Sequence, residues 1–210
     1  MNPYQVTRDF EAALCDYTGA RYAVAVNSCT AALLLCVEWH HRYGRRNVVS
    51  IPRHTYCSVP QAILRAGSAV AWRDEDWRGA YQLQPLPVWD CARRFTSGMY
   101  DRVSQGAYGI NSGQFMCVSF SAAKILGIEQ GGAILHDDAS ADDWFRKMRF
   151  DGRTEGTLPA PDTVTLVGHH FIMLPSIAAQ ALLRLAHLPR DNPDMEDYPY
   201  PDLSQCGAFR

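Results

Sequence analysis

Lys124 is one of two lysines in a chain of 210 residues, and its surroundings are unusual for a charged side chain: Ser119-Phe-Ser-Ala-Ala-Lys124-Ile-Leu-Gly-Ile-Glu-Gln-Gly-Gly-Ala-Ile134. The other, Lys147, lies in Asp142-Asp-Trp-Phe-Arg-Lys-Met-Arg149, an ordinary charged helix face. A poorly solvated amine has a lowered pKa and attacks carbonyls more readily, as a Schiff-base lysine must. A lysine lying along apolar surface with its head in water would leave the same local sequence. Both readings stand until other residues are placed beside it.

Five further positions bear on the choice. Asp90 closes the apolar run Pro87-Val-Trp-Asp90, and Ser119 ends another at Met116–Phe120. Ser28 and Thr30 occupy a polar turn, Asn27-Ser-Cys-Thr30, between two apolar segments, and Tyr56 follows Ile51-Pro-Arg-His-Thr. Each has a plainer role: Asp90, Ser28 and Thr30 as helix caps, Tyr56 as core packing. Together they match what pyridoxal phosphate asks of a protein. That cofactor needs a lysine, and a carboxylate that keeps its ring nitrogen protonated. It also needs N–H and hydroxyl donors for its phosphate and a flat group against its ring. Lys124, Asp90, Ser28/Thr30 with Ser119, and Tyr56 fill those roles in turn.

The elements that must position these residues alternate. Val6–Tyr17 reads as an amphipathic helix ending at Gly19, Tyr22–Val26 as a strand, and Ala31–His41 as an apolar helix. Asn47–Ile51 and Ala69–Trp72 read as strands flanking a helix at Val59–Ala66. Pro87–Asp90, Met116–Phe120 and Ala133–Leu135 are further short strands. Residues 94–114 and 151–170 read as loops, and Leu174–Leu188 as a helix. The alternation predicts an α/β fold with a largely parallel sheet flanked by helices. Ligands gather beyond the C-terminal strand ends of such sheets, where Ser28, Asp90 and Ser119 fall. The tail from Pro189 is rich in Pro and Asp and is expected to be extended or partly disordered.

Hydrophobic residues make up 47% of the chain and charged residues 20%, with a formal net charge of −2, a balance suited to a globule with a substantial core. Arg45-Arg46 and Arg93-Arg94 are isolated pairs rather than a basic stripe, which speaks against nucleic acid. Seven cysteines show no CxxC pair, and the histidines show no metal spacing, so a reducing cytoplasmic setting and no metal are expected. The N-terminus lacks the pattern of a secretory signal. No apolar run is long enough to cross a bilayer.

The chain resembles the DegT/DnrJ/EryC1/StrS family of pyridoxal-phosphate-dependent aminotransferases, which act mainly on nucleotide-linked keto-sugars. Phe10-Glu11 with Thr18–Leu33 is similar to the family's opening block, and Ile51-Pro-Arg-His-Thr-Tyr56 to its Pro-x-x-Thr-aromatic block. Val88-Trp-Asp-Cys-Ala-Arg93 is similar to Glu-Asp-Ala-Ala-Gln, and Ser119–Gly132 to Ser-Phe-x-x-x-Lys with its Glu-Gly-Gly sequel. Val167–Gln180 resembles the block around Gly-Tyr-Asn-Tyr-Arg-Met. The resemblance implies the large domain of a type I, aspartate-aminotransferase-like transferase. Lys124 and Asp90 are its catalytic residues. The implied cofactor ligands are Ser28, Cys29, Thr30, Tyr56, Asp90, Arg93, Ser119, Lys124 and His170.

Several positions depart from the family. Cys29 stands where glycine is usual, which crowds backbone approach to the phosphate. Arg93 replaces a glutamine that contacts the ring oxygen, and its fixed positive charge is expected to lower the pKa of the cofactor-linked lysine. His170 stands where an asparagine of a neighbouring subunit reaches the phosphate, and Ile172 replaces an arginine. The chain is short between Asp76 and Pro87. It ends soon after Leu188, where the family continues into a C-terminal domain. On this reading residues 1–188 are the cofactor domain, 189–210 a polar tail, and the C-terminal small domain is absent. The implied function is amino transfer to a keto-sugar nucleotide or similar carbonyl compound by a homodimer with shared sites. Two alternatives stand beside it: a decarboxylase or lyase acting on an amino-acid-like substrate, and a non-catalytic subunit completed by a second chain.

Overall fold

The computed structural model describes residues 2–42, 48–102, 113–157, 160, 163–196 and 198–209, with Asp101 and Arg102 described in the backbone alone. Asn47, the Arg45-Arg46 pair and parts of the two expected loops lie outside these residues. In chain order the elements are α1 (Gln5–Thr18), β1 (Tyr22–Val26), α2 (Cys29–His41), β2 (Val48–Pro52), α3 (Ser58–Arg65) and β3 (Ala69–Arg73). Then follow β4 (Tyr81–Gln82), β5 (Val88–Asp90), α4 (Met99–Arg102), β6 (Phe115–Ser119), β7 (Gly132–His136), α5 (Ala139–Met148) and α6 (Pro175–Ala186).

Local chemistry sets the helix ends. Gly19 stops α1 at φ 81°, donating its N–H to the Cys15 carbonyl. Ser28 caps α2 by accepting from Ala31 N–H, and Asp138 caps α5 by accepting from Ser140 and Ala141. Helix α2 is apolar on nearly every side because it is enclosed between the sheet and its neighbours α3 and α5.

Five strands form one sheet in the order β1-β7-β6-β5-β4, and β2 and β3 form a parallel pair. An antiparallel bridge between Ser50 and Gln84 links the two. The pairings make β1, β2, β3, β5 and β6 run one way and β4 and β7 the other. The sheet is thus more mixed than the alternation suggested, because β4 and β7 enter as returning strands. Alternate residues of β1 face two cores. Val24 and Val26 pack with α2, α3 and α5, while Ala23 and Ala25 pack on the side of α1 and α6. Among the described residues no helix is long and apolar enough to cross a membrane.

Strand β1 is a sheet edge, and its outward backbone groups are met by charged side chains. Glu11, 3% exposed, accepts from Ala25 N–H at 2.9 Å. Arg149, 1% exposed, donates to the Ala25 carbonyl and to Glu11. Arg146 reaches Glu11 at 2.6 Å and the Ala23 carbonyl at 3.2 Å. Glu155 pairs with Arg149 at 3.2 Å and with Arg8 at 3.1 Å. Burial alone would raise the Glu11 pKa, but Arg149 and Arg146 outweigh it and hold the carboxyl below its usual 4.5.

The tail is not disordered where it is described. It turns back along residues 93–97, with Ser97 N–H on the Arg190 carbonyl at 2.8 Å and Met195 N–H on the Arg93 carbonyl at 3.0 Å. It ends in two short 3-10 turns, Leu203–Gln205 and Gly207–Phe209. Low apolar content suggested disorder, but buried Leu203 and the bidentate Arg94–Asp194 pair, at 2.8 and 2.6 Å, hold the segment down.

Removing Glu11 would leave Arg149 buried with only the longer Glu155 contact to balance it. Glu11→Ala is expected to cost about 3–5 kcal/mol in urea denaturation at neutral pH. The lowered pKa means that the carboxylate's contribution is fully present above pH 4.5 and is lost as pH falls through the folded-state value. The gap between parent and variant should therefore close in strongly acidic buffer.

Candidate functional site

Strands β1, β5 and β6 end at one edge of the sheet, and that edge opens into a cavity of about 570 Å³. Ser28, Cys29, Thr30, Tyr56, Asp90, Arg93, Ser119 and Lys124 all line it. His170 does not. Its side chain is 71% exposed, and Nδ1 lies 3.1 Å from Asp151.

Asp90 is the last residue of β5 and only 4% exposed. Oδ2 accepts from the Tyr81 hydroxyl at 2.8 Å and Oδ1 from Ala92 N–H at 2.9 Å. Among the described residues no cation lies within ion-pair distance of it. Burial therefore raises its pKa, against the pull of Ala92, Tyr81 and the Lys124 charge. Tyr81 is itself held by Thr55, whose hydroxyl is 2.5 Å away, and burial pushes the phenol well above its ordinary range. The chain Thr55–Tyr81–Asp90 ties the end of β2 to the end of β5.

Lys124 sits in the turn after β6, its N–H on the Ser121 carbonyl at 2.8 Å. The side chain is half-buried. Burial lowers its pKa, and the Arg93 charge lowers it further, while Asp90 opposes them. Arg93 is buried beside the same cavity. The amine is thus kept more nucleophilic than a surface lysine.

The α2 N-terminus completes the floor. Ser28 Oγ is committed to capping, accepting from Ala31 N–H at 3.1 Å, and Thr30 donates to Ser58 Oγ at 2.8 Å. The first helical N–H groups, at Cys29 and Thr30, have no intrahelical acceptor and favour an anion. Strand β7 passes directly beneath. A Cβ at Gly132 would lie 2.5 Å from Cys29 N and 2.6 Å from the Ser28 carbonyl carbon. Glycine there is what lets the turn sit down on the sheet. The Cys29 thiol is buried, and burial pushes its pKa well up, so it stays protonated.

Sequence reasoning missed Thr55, Tyr81, Trp77 and three tail residues, Met195, Tyr198 and Tyr200, that also line or brace the cavity. The alternation Tyr81-Gln-Leu83 after Gly79 signals a short strand, and Tyr198-Pro-Tyr200-Pro is an aromatic repeat in an otherwise polar tail.

The sequence matches the profile of the DegT/DnrJ/EryC1/StrS aminotransferase family over residues 1–90 and 86–196. No curated protein matches it. Among solved structures, the chain is similar to Helicobacter pylori PseC, an aminotransferase involved in the biosynthesis of pseudoaminic acid. Identity is 18% and the TM-score 0.67, over 88% of this chain and 58% of that one. The sugar aminotransferase CalS13 from Micromonospora echinospora gives 21%, 0.65, 87% and 61% on the same measures. NtdA from Bacillus subtilis, with bound cofactor PMP, gives 16%, 0.66, 87% and 48%. The likeness establishes the fold, and the chain spans less than two thirds of each of these structures.

Two outcomes follow from the buried charges. The raised Asp90 pKa means that its ionised form costs stability above the folded-state value, so Asp90→Asn should raise the denaturation midpoint of the ligand-free protein at pH 7. Arg93→Gln removes a positive charge beside Lys124, which favours the ammonium form. The pH at which Lys124 becomes reactive toward a carbonyl probe, read by borohydride trapping and peptide mapping, should therefore move up.

Proposed function

The chain belongs to the DegT/DnrJ/EryC1/StrS aminotransferase family, and from that premise we propose that it binds pyridoxal phosphate at Lys124 and transfers an amino group to a keto-sugar nucleotide or a similar carbonyl substrate. The observation that carries the proposal is a buried carboxylate without a cationic partner, Asp90, facing the same cavity as a desolvated lysine.

The residues present fit the cofactor. A protonated ring nitrogen is the cation that Asp90 lacks, and it would offset the burial that raises the carboxyl's pKa. The N–H groups of Cys29 and Thr30, with the Ser119 hydroxyl, suit a phosphate. Gly132 leaves the space that brings that turn down to the cavity floor. When bound, pyridoxal phosphate supplies a carbonyl carbon for an amine and a ring that accepts an electron pair from a substrate carbon.

The protein's own groups do the rest. Lys124 is the residue that would hold the cofactor, and its amine, when free, would carry a proton to and from a substrate carbon. The lowered pKa makes that amine available as a base at a lower pH than a surface lysine would be. Asp90, fixed by Tyr81 and Ala92, holds the ring nitrogen's proton in place, and Arg93 places positive charge beside the lysine. Tyr56 offers a ring at the cavity mouth.

We further infer a cytoplasmic homodimer. All seven cysteines are free thiols, which suits a reducing compartment. Val164, Val167, Leu174 and Leu183 are exposed, Val167 at 96%, on the stretch that carries His170. A second copy packed there would cover that apolar surface.

Adding pyridoxal phosphate to the purified protein should produce a visible absorbance band. Lys124→Ala should abolish the band and Lys147→Ala should keep it. A band that survives Lys124→Ala, or no band in the parent, would sink the proposal.

A further inference from the structure

The cavity is walled on one side by the C-terminal tail, which is pinned at both flanks of the opening. On one flank, Asn192 N–H meets Thr96 Oγ1 at 3.0 Å, Asp194 grips Arg94, and Met195 N–H meets the Arg93 carbonyl. Gly79 makes room there, since a Cβ at that position would lie 2.3 Å from the Asp194 carboxyl group. On the other flank, the Tyr200 carbonyl lies 3.0 Å from His54 Nδ1, and Leu203 N–H meets the Arg53 carbonyl at 3.0 Å. Asp202 lies 3.7 Å from Arg53 and caps the following turn through Ser204 N–H at 3.0 Å. Between these anchors Met195, Tyr198 and Tyr200 face the cavity.

The wall so formed is aromatic. Tyr200 lies 6.1 Å from Trp77 with the ring planes 15° apart, 6.4 Å from Tyr56 edge-on, and 4.8 Å from Tyr198. Trp77 is oriented by its own N–H on the His54 carbonyl at 2.8 Å. Tyr198 and Tyr56 remain 61% and 58% exposed although both line the cavity, so their faces are open to a ligand. The cavity thus has two chemically different parts, which meet where the Tyr200 hydroxyl is hydrogen-bonded with Arg93. The charged groups Asp90, Lys124 and Arg93 serve a reacting centre. Four rings offer apolar faces of the kind that pack against the C–H face of a sugar or against a planar base.

We propose that Tyr198 and Tyr200, carried on this strap, form with Trp77 and Tyr56 an aromatic subsite that holds a ring of the substrate beyond its reacting carbon. The subsite rests on the aminotransferase reading above and adds to it a specific wall. The strap's anchors set the wall's position, and its rings set what binds.

The test uses the full chain loaded with pyridoxal phosphate. Thymidine-diphosphate glucose, which carries no keto group, and thymidine diphosphate alone are titrated while the cofactor absorbance and the protein fluorescence are followed. Tyr198→Ala and Tyr200→Ala should each weaken binding of the nucleotide-sugar by about tenfold, the scale of one lost ring contact. Tyr198→Phe, which keeps the ring, should bind as the parent does, and a cofactor band on Lys124 should form in every variant. Weakening for both ligands places the base on the rings, and weakening for the nucleotide-sugar alone places the hexose there. Either result supports the subsite. Unchanged binding in both alanine variants, or a parent that shows the band yet binds neither ligand, overturns it. A parent with no band overturns the cofactor reading instead and takes the subsite with it.

Discussion

The carboxylate of Glu11, buried between Arg149 and Arg146, lets the first strand of the sheet be an edge. An edge strand inside a protein leaves a row of unpaired N–H and C=O groups, and each would cost free energy if left dry. Here Glu11 and the two arginines take the outward groups of Ala23 and Ala25. The same ion cluster joins α1, β1, α5 and the turn at Glu155. With β1 fixed, the turn at Ser28 has a fixed starting point, and the N-terminus of α2 is aimed at the cavity. The chemistry at one end of the strand depends on charge buried along its side.

A second burial acts in the opposite sense. Asp90 has a hydroxyl and an amide but, among the described residues, no cation within ion-pair distance, and the fold holds it there through Tyr81 and Thr55. A carboxylate in that position is a cost to the ligand-free protein and an attraction for a cation. Lys124 is the mirror case, an amine that its surroundings push toward neutrality. The two groups face one cavity and each lacks what a cationic, carbonyl-bearing ring would provide. The strain is electrostatic, and it is placed where a ligand can relieve it.

Much of this was legible in the residues. Lys124, Asp90 and Ser119 could be placed because short apolar strands end on them, and strands running one way bring their ends together. Ser28 could be placed because a polar turn between two apolar segments has little else to do, although its hydroxyl proves to be a cap. Tyr81 was hard to place because its strand, Tyr81–Gln82, is so short that the alternation through Leu83 is its one signal, and nothing local ties it to Asp90. The tail's extended course was legible, but its hold on the body was not, because that hold comes from a few anchors rather than from apolar content: one buried leucine, aspartates matched to arginines, and tyrosines separated by prolines. His170 lies away from the cavity of its own chain, and a role there needs a surface that one chain does not contain. Gly132 stands out in the sequence only within the Glu-Gly-Gly sequel to Lys124, and the spacing to Cys29 shows that strand and helix turn approach closely there.

The strap also bears on the order in which the site comes into being. Lys124, Asp90 and the α2 turn are brought together by the strands and helices that precede residue 150, whereas Met195, Tyr198 and Tyr200 leave the ribosome some fifty residues later, on the order of seconds at ordinary rates of synthesis. The residues that wall the cavity mouth are thus the last of the site to be made, and until they emerge nothing in the chain can narrow that mouth.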